Sequence, residues 1–140
     1  MINFNYETDF ALSNETTVSS WLSKVILSEN KSEGEINYIF CNDEYLLQIN
    51  QQYLSHDTLT DVISFDYSLG NELSGDVFIS TERVQDNAND YKVTFAEELN
   101  RVMVHGILHF CGFKDKTEED ELFMRNKEED KLKMFHVEQK

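Results

Sequence analysis

The chain has 140 residues, of which 40% are hydrophobic, and this is enough for one domain around one core. Its formal net charge of −15 excludes nucleic-acid binding through a diffuse basic surface. No apolar run is long enough to cross a bilayer, and the first residues lack the basic and apolar regions of a signal peptide. The two cysteines, Cys41 and Cys111, show no disulfide pattern, so we expect a protein of the reducing cytoplasm without a membrane partner.

The first part of the chain predicts strands alternating with helices. Residues 2–6 alternate apolar and polar side chains, which is typical of a half-buried strand. Residues 16–29 have the apolar spacing of an amphipathic helix, and residues 35–41 predict a second strand. Asn42 then offers an N-cap for a second helix.

The middle of the chain predicts two strands in succession. Residues 60–67 and 75–80 are both rich in β-branched and aromatic side chains, and the connection between them is polar. Ser80 or Thr81 can cap a third helix, which we expect to end near Tyr91.

Two further helices complete the prediction. Thr94 and Glu97 form a capping box for a helix that runs to about Cys111, and the last helix begins near Thr117. The element order is then β-α-β-α-β-β-α-α-α. We expect residues 1–140 to form one α+β domain, with a small mixed four-stranded sheet packed against about five helices.

The helix that ends near Cys111 carries a metal-ligand pattern. His105 and His109 lie one turn apart on the same helix face. Gly112 can end the helix, because glycine adopts the left-handed backbone conformation of a C-terminal cap without steric cost. The chain can then turn back and bring Asp115 toward both imidazoles. Two imidazoles and one carboxylate suit zinc and leave a fourth position open for chemistry, although nickel or manganese could occupy the same ligands.

The spacing also resembles the zinc helix of metzincin proteases, but with one decisive difference. Those proteases place a general-base glutamate after the first histidine, where this chain has Gly106, so a metallopeptidase is disfavoured. Glu98 and Val102 lie on the same helix stripe as the histidines, and Glu98 is either a group that supports the ligands or a solvated glutamate. Cys111 lies about 200° around the helix from His109 and is expected to pack, with a ligand role as the minor alternative.

Three sequence blocks and one glutamate occur in a fixed order. Thr-Asp-Val-Ile-Ser-Phe occupies 60–65, Gly-Asp-Val-Phe-Ile-Ser occupies 75–80, His-Gly-Ile-Leu-His-Phe-Cys-Gly-Phe occupies 105–113, and Glu98 lies seven residues before the first histidine. Over about 36–130 the chain thereby resembles the YbeY family of rRNA maturation factors, described as metal-dependent endoribonucleases. Their motif is His-Gly-x-Leu-His-x-x-Gly-Tyr-Asp-His.

The resemblance implies a function and a set of roles. It predicts a zinc-dependent, single-strand-specific endoribonuclease that acts in late 16S rRNA 3′-end maturation and ribosome biogenesis, with an rRNA precursor or the small ribosomal subunit as partner. One Zn²⁺ per chain is expected on His105, His109 and Asp115, which are also the expected catalytic residues. Glu98, Ser64 and Lys114 are the candidates for supporting the ligands or lining an RNA groove.

The chain departs from the family pattern at two places. Lys114-Asp115 replaces the final Asp-His, so the third ligand is an aspartate, which zinc accepts. Leu54 stands where the family commonly has an arginine, and Lys114 or Arg83 is the candidate to take over its charge.

Two further surfaces are considered for RNA. Arg101, Lys114 and Lys116 lie near the motif and form either a local basic patch or ordinary solvated charges. Asp61 and strand 75–80 are candidates for the RNA groove together with Ser64, although turn chemistry and hydrogen bonding are the favoured roles of Asp61 and Asp76.

An alternative function remains open at this point. A non-enzymatic assembly factor, in which the metal only stabilises the fold, would dock on the ribosome through a ribosomal protein. The charge of −15 fits a basic protein better than naked rRNA.

Overall fold

The computed structural model describes residues 1–54 and 59–138, with side chains described up to Phe135. It contains four strands and five helices in the predicted order. Their bounds are β1 Ile2–Tyr6, α1 Glu15–Ser28, β2 Ser32–Cys41, α2 Asp43–Leu54, β3 Val62–Asp66, β4 Glu72–Ser80, α3 Thr81–Tyr91, α4 Phe95–Phe110 and α5 Glu118–Glu138.

The four strands form one mixed sheet in the order β1-β2-β4-β3. β1, β2 and β4 are mutually parallel, whereas β3 runs antiparallel to β4. The long helical connections make the parallel pairs possible, and the short turn between β3 and β4 makes a hairpin. The predicted α+β fold, with a mixed four-stranded sheet and five helices, is confirmed.

The main core lies between one face of the sheet and the helices α1, α4 and α5. Tyr38, Phe40, Val77 and Ile79 project from β2 and β4 into this core and are fully buried. Trp21 of α1 is also fully buried, and its indole Nε1 donates a hydrogen bond to the Lys131 carbonyl oxygen at 2.8 Å. That bond fixes α5 against α1, which matters because α5 contributes to the site described below.

A second, smaller cluster lies on the opposite face of the sheet under α2. Cys41, Leu46 and Ile63 form its buried part. Both cysteines of the chain are free, and Cys111 packs against the main core as expected. None of the helices in the described residues has the length and apolar character of a membrane span.

Two strands extend further than their hydrophobic patterns predict. β2 begins at Ser32 instead of residue 35, and β4 begins at Glu72 instead of residue 75. The added residues pair with each other, since Ser32 lies opposite Glu72 and Glu33 opposite Leu73. Backbone hydrogen bonds therefore extend the sheet into polar sequence, where the apolar alternation carries no signal.

The approach of α4 to the sheet depends on Gly106. A Cβ at this position would lie 3.1 Å from the nearest methyl carbon of Val77, so a larger residue would push the helix away from β4. Tyr38 adds a polar anchor, because its hydroxyl donates to the Met103 carbonyl oxygen at 2.7 Å. Together these contacts fix the rotation and depth of the helix that carries both histidines.

Candidate metal centre

The ends of α4 hold the histidines in place. Thr94 is the N-cap, and its Oγ1 accepts a hydrogen bond from the Glu97 backbone N–H at 3.1 Å. At the other end, Gly112 has a backbone φ of 104°, which residues with a side chain rarely adopt. Its N–H donates to the His109 carbonyl oxygen at 2.9 Å. Phe113 N–H donates to the Leu108 carbonyl oxygen at 3.1 Å, which completes a Schellman motif and turns the chain back.

This turn brings Asp115 to both imidazoles. Its Oδ2 lies 3.3 Å from Nε2 of His105 and 3.3 Å from Nε2 of His109. Zinc–ligand bonds of about 2.0–2.2 Å in tetrahedral geometry place neighbouring ligand atoms about 3.3–3.6 Å apart. Within the described residues, these three side chains form a group that could hold a metal ion. The residues therefore fit a single divalent ion, and they line the cleft described below.

Glu128 of α5 supports this group and was not predicted from the sequence. A carboxylate can only accept, so His105 Nδ1–H donates to Glu128 Oε2 at 2.5 Å, and this tautomer leaves Nε2 free for a metal. Arg101 Nη1 donates to the other oxygen of Glu128 at 3.0 Å. The Glu128 residue is 5% exposed, so both of its oxygens are used inside the protein.

The sequence did contain a signal for Glu128. Met124, Glu128, Lys131 and Phe135 are the buried residues of α5 up to Phe135, where the described side chains end, and their spacings of four, three and four place them on one stripe. Leu122, an apolar residue of the same helix, is 64% exposed. A glutamate on a buried helix stripe needs a partner, and here the partner is a metal-ligand candidate.

The three ligand candidates open onto a cleft of about 560 Å³ between α4, α5, β3 and the end of α3. Glu98, Val102, His105 and His109 line it together, as the helix stripe predicted. Five carboxylates and two arginines also share this cleft. They are Asp61, Glu98, Asp115, Glu121 and Glu128, with Arg101 and Arg125.

Burial shifts the titration of several groups in the cleft. It raises the pKa of Glu98 and of Asp61 above their ordinary values. The charge of Glu128 raises both pKa values further, and the charge of Asp61 raises that of Glu98. Burial alone would lower the pKa of His105, but the hydrogen bond and charge of Glu128, together with Asp115 and Asp61, raise it in the metal-free protein. The cleft thus favours cations over additional negative charge.

The other predicted groove residues divide into those that line the cleft and those that do not. Asp61 and Ser64 line it, and Glu98 is buried at its wall instead of being solvated. Lys114 is exposed and does not line the cleft. Within the described residues, strand 75–80 contributes no lining residue, since β4 is an inner strand covered by α4 and α2.

The basic residues named from the sequence are also separated by the fold. Arg83 pairs with Asp43 at 2.8 Å and with Asp86 at 3.2 Å, and it lies outside the cleft, so it does not supply the cation missing at Leu54. Lys116 is exposed and outside the cleft, whereas Arg101 lines it. A local basic patch and ordinary solvated charges were both possible for Arg101, Lys114 and Lys116, and the three residues do not line the cleft together.

Asp76 has the structural role that was favoured for it. Its Oδ1 accepts a hydrogen bond from Asn37 Nδ2 at 3.0 Å between β2 and β4, on the sheet face opposite the main core.

Comparisons with known proteins agree with this geometry. The family model described as "Endoribonuclease YbeY" matches residues 2–136. A protein of Flavobacterium psychrophilum named Endoribonuclease YbeY is 70% identical over 139 residues, covering 99% of each chain. Its namesake from Flavobacterium johnsoniae is 66% identical over 139 residues, covering 99% of this chain and 100% of the relative.

A solved structure shows the same fold. The solution structure of TM1509 from Thermotoga maritima superposes with a TM-score of 0.74 at 26% identity, covering 99% of this chain and 91% of that one. The match to the family model and the high identity to its named members extend over nearly the whole chain. The chain belongs to the YbeY endoribonuclease family.

Proposed function

We propose that this chain is a single-strand-specific, zinc-dependent endoribonuclease that acts in the cytoplasm on the 3′ end of precursor 16S rRNA. Residues 1–140 would act as one metal-dependent hydrolase domain, with one Zn²⁺ per chain. The observation that carries the proposal is the group His105, His109 and Asp115, whose ligand atoms have metal spacing at the mouth of a cleft in a family of endoribonucleases.

Each residue of the site has a defined task in this proposal. His105, His109 and Asp115 hold the ion, and Glu128 keeps the His105 ring in the tautomer whose Nε2 faces it. A divalent ion there would polarise a phosphoryl oxygen and lower the pKa of water. Glu98, a buried carboxyl with a raised pKa on the cleft wall, is the group placed to hold or pass a proton.

The shape of the cleft supports an unpaired substrate. A volume of about 560 Å³ lies in the range of small-ligand sites, which suits one or a few unpaired nucleotides. Single-stranded RNA also brings its own 2′-hydroxyl to the reaction. Ser64 and Asp61, which line the cleft, would contact the RNA chain.

Family membership favours the enzyme over the non-enzymatic assembly factor. The negative charge of −15 still suits delivery to the small ribosomal subunit by a basic protein.

The test is cleavage of a short single-stranded RNA taken from the 3′ end of precursor small-subunit rRNA. Wild type, His109→Ala and Cys111→Ala are purified in parallel and assayed with chelator and with added zinc. Cys111→Ala is the matched control, because Cys111 lies beside the motif but packs against the core. We expect wild type and Cys111→Ala to cleave, His109→Ala to be inactive, and chelation to be reversed by metal.

Two other results would reject the proposal in different ways. Equal cleavage by all three proteins points to a contaminating nuclease. Metal binding by wild type without cleavage favours the assembly factor.

A further inference from the structure

The two arginines of the cleft differ in how they are used. Arg101 is 18% exposed, and its guanidinium is paired with Glu128 at 3.0 Å and with Glu129. Arg125 also lines the cleft, but its side chain is exposed and it makes no ion pair or hydrogen bond with a carboxylate in the part of the chain that the structure describes. Arg125 therefore has its donors available for a ligand.

An aromatic ring defines the position of Arg125. Its guanidinium carbon lies 5.9 Å from the centroid of the Tyr91 ring, within the range of a cation–π contact. Tyr91, the last residue of α3, lines the same cleft and is 56% exposed. Arg125 also borders a second groove of about 400 Å³ that shares His105 and Asp115 with the cleft. Arg125 thus lines both of the grooves that reach His105 and Asp115.

The charge of the cleft favours such a cation beside a phosphate. Five carboxylates face the cleft, and Arg101, one of its two arginines, is already paired with Glu128 and Glu129. These carboxylates would repel an entering polyanion, and the unpaired guanidinium of Arg125 would offset part of that repulsion next to the ligand group. A guanidinium donates two parallel hydrogen bonds to phosphate oxygens, and a ring held against it limits its freedom before binding.

We propose that Arg125, positioned by Tyr91, binds a backbone phosphate of single-stranded RNA next to the His105, His109 and Asp115 group. This inference rests on the proposed function, because it names the residue by which that site holds its substrate. Arg125 is a substrate-binding residue in this proposal, and Tyr91 is its positioning residue.

The experiment measures RNA binding and cleavage separately. Binding of a fluorescent 2′-O-methyl RNA, which lacks the free 2′-hydroxyl, is followed by anisotropy at several salt concentrations. KM and kcat are measured with the unmodified RNA. The variants are Arg125→Gln and Arg125→Lys, with Lys133→Gln as the matched control, since Lys133 is an exposed cation two turns further along α5.

We expect Arg125→Gln to weaken binding about tenfold at low salt and to reduce the slope of log affinity against log salt by about 0.7, the contribution of one phosphate contact. KM should rise by a similar factor with a smaller change in kcat, and Arg125→Lys should keep most of the salt slope. Tyr91→Ala should weaken RNA binding less than Arg125→Gln does. Tyr91→Phe should bind RNA like wild type, because the aromatic ring remains.

The outcomes distinguish this inference from the proposed function. Unchanged KM and salt slope in Arg125→Gln, with an active wild type, would overturn the role of Arg125 alone. The same would follow if Lys133→Gln lost as much affinity as Arg125→Gln, since the effect would then be one of overall charge. A wild type that neither binds nor cleaves RNA would overturn both proposals.

Discussion

Glu128 is the contact through which α5 acts on the metal ligands, and its replacement by glutamine isolates that action. The glutamine has nearly the same shape but no charge. At present one carboxylate oxygen accepts from His105 Nδ1 at 2.5 Å and the other from Arg101 Nη1 at 3.0 Å. A glutamine has one acceptor oxygen, so its amide NH₂ must face one of these two donors.

The expected loss follows from this count. One charge-assisted hydrogen bond disappears, which costs about 1.5–3 kcal/mol when it is buried. Partners that orient a ligating histidine typically contribute about 10–100-fold to metal affinity, which corresponds to about 1.4–2.7 kcal/mol. We therefore expect Glu128→Gln to bind zinc 10–100-fold more weakly than wild type, to an extent that depends on which donor the glutamine still satisfies.

The assay is competition for zinc against a chromophoric chelator, with urea unfolding of the metal-free proteins as a measure of stability. Glu129→Gln is the matched control, because Glu129 also pairs with Arg101 but is 52% exposed and does not contact His105. Its zinc affinity should stay within about twofold of wild type, as expected for an exposed ion pair. If Glu128→Gln bound zinc as tightly as Glu129→Gln, the argument that Glu128 orients His105 would be refuted.

Two further predictions concern the fold around the site. Burial alone would raise the pKa of Glu29, but hydrogen bonds from Lys127 and Lys131, both at 2.7 Å, hold it below its ordinary value of 4.5. This stabilisation is therefore fully present above pH 4.5 and is lost as the pH falls through the lower pKa of Glu29 in the folded protein. Glu29→Gln should lower the free energy of unfolding in urea by about 2 kcal/mol at pH 7, and this difference from wild type should shrink in acid. A difference that did not depend on pH would contradict this. Gly75→Ala would place a Cβ 2.5 Å from Phe110 Cζ and against the Phe65 carbonyl oxygen, so it should lower the unfolding free energy by about 1–3 kcal/mol, and an unchanged denaturant midpoint would show that the strand can move aside.

The parts of the site that lie close together in sequence were predictable. His105, Gly112 and Asp115 fall within one helix end and its turn, where spacing and capping chemistry determine the geometry. The capping box at Thr94 and the stripe from Glu98 to His109 follow from the same local periodicity. These rules need no knowledge of what the helix packs against.

The parts that depend on distant packing were not predictable. Glu128 meets His105 only because α5 packs across α4, and the many acidic residues of α5 look alike in sequence until the buried stripe is known. The different uses of Arg101 and Arg125 likewise depend on which carboxylates the fold brings to each. Lys114 was a candidate for the RNA groove, but it is exposed and does not line the cleft.

The central claim is that His105, His109 and Asp115 hold one divalent ion, and X-ray absorption at the zinc edge of the loaded protein tests it most directly. The account predicts one zinc per chain with nitrogen and oxygen neighbours at about 2.0–2.2 Å, two of them imidazoles, and loss of this signal in His109→Ala. A sulfur neighbour at about 2.3 Å would instead make a cysteine a ligand, and an unchanged spectrum in His109→Ala would place the metal elsewhere. Either result would contradict the account.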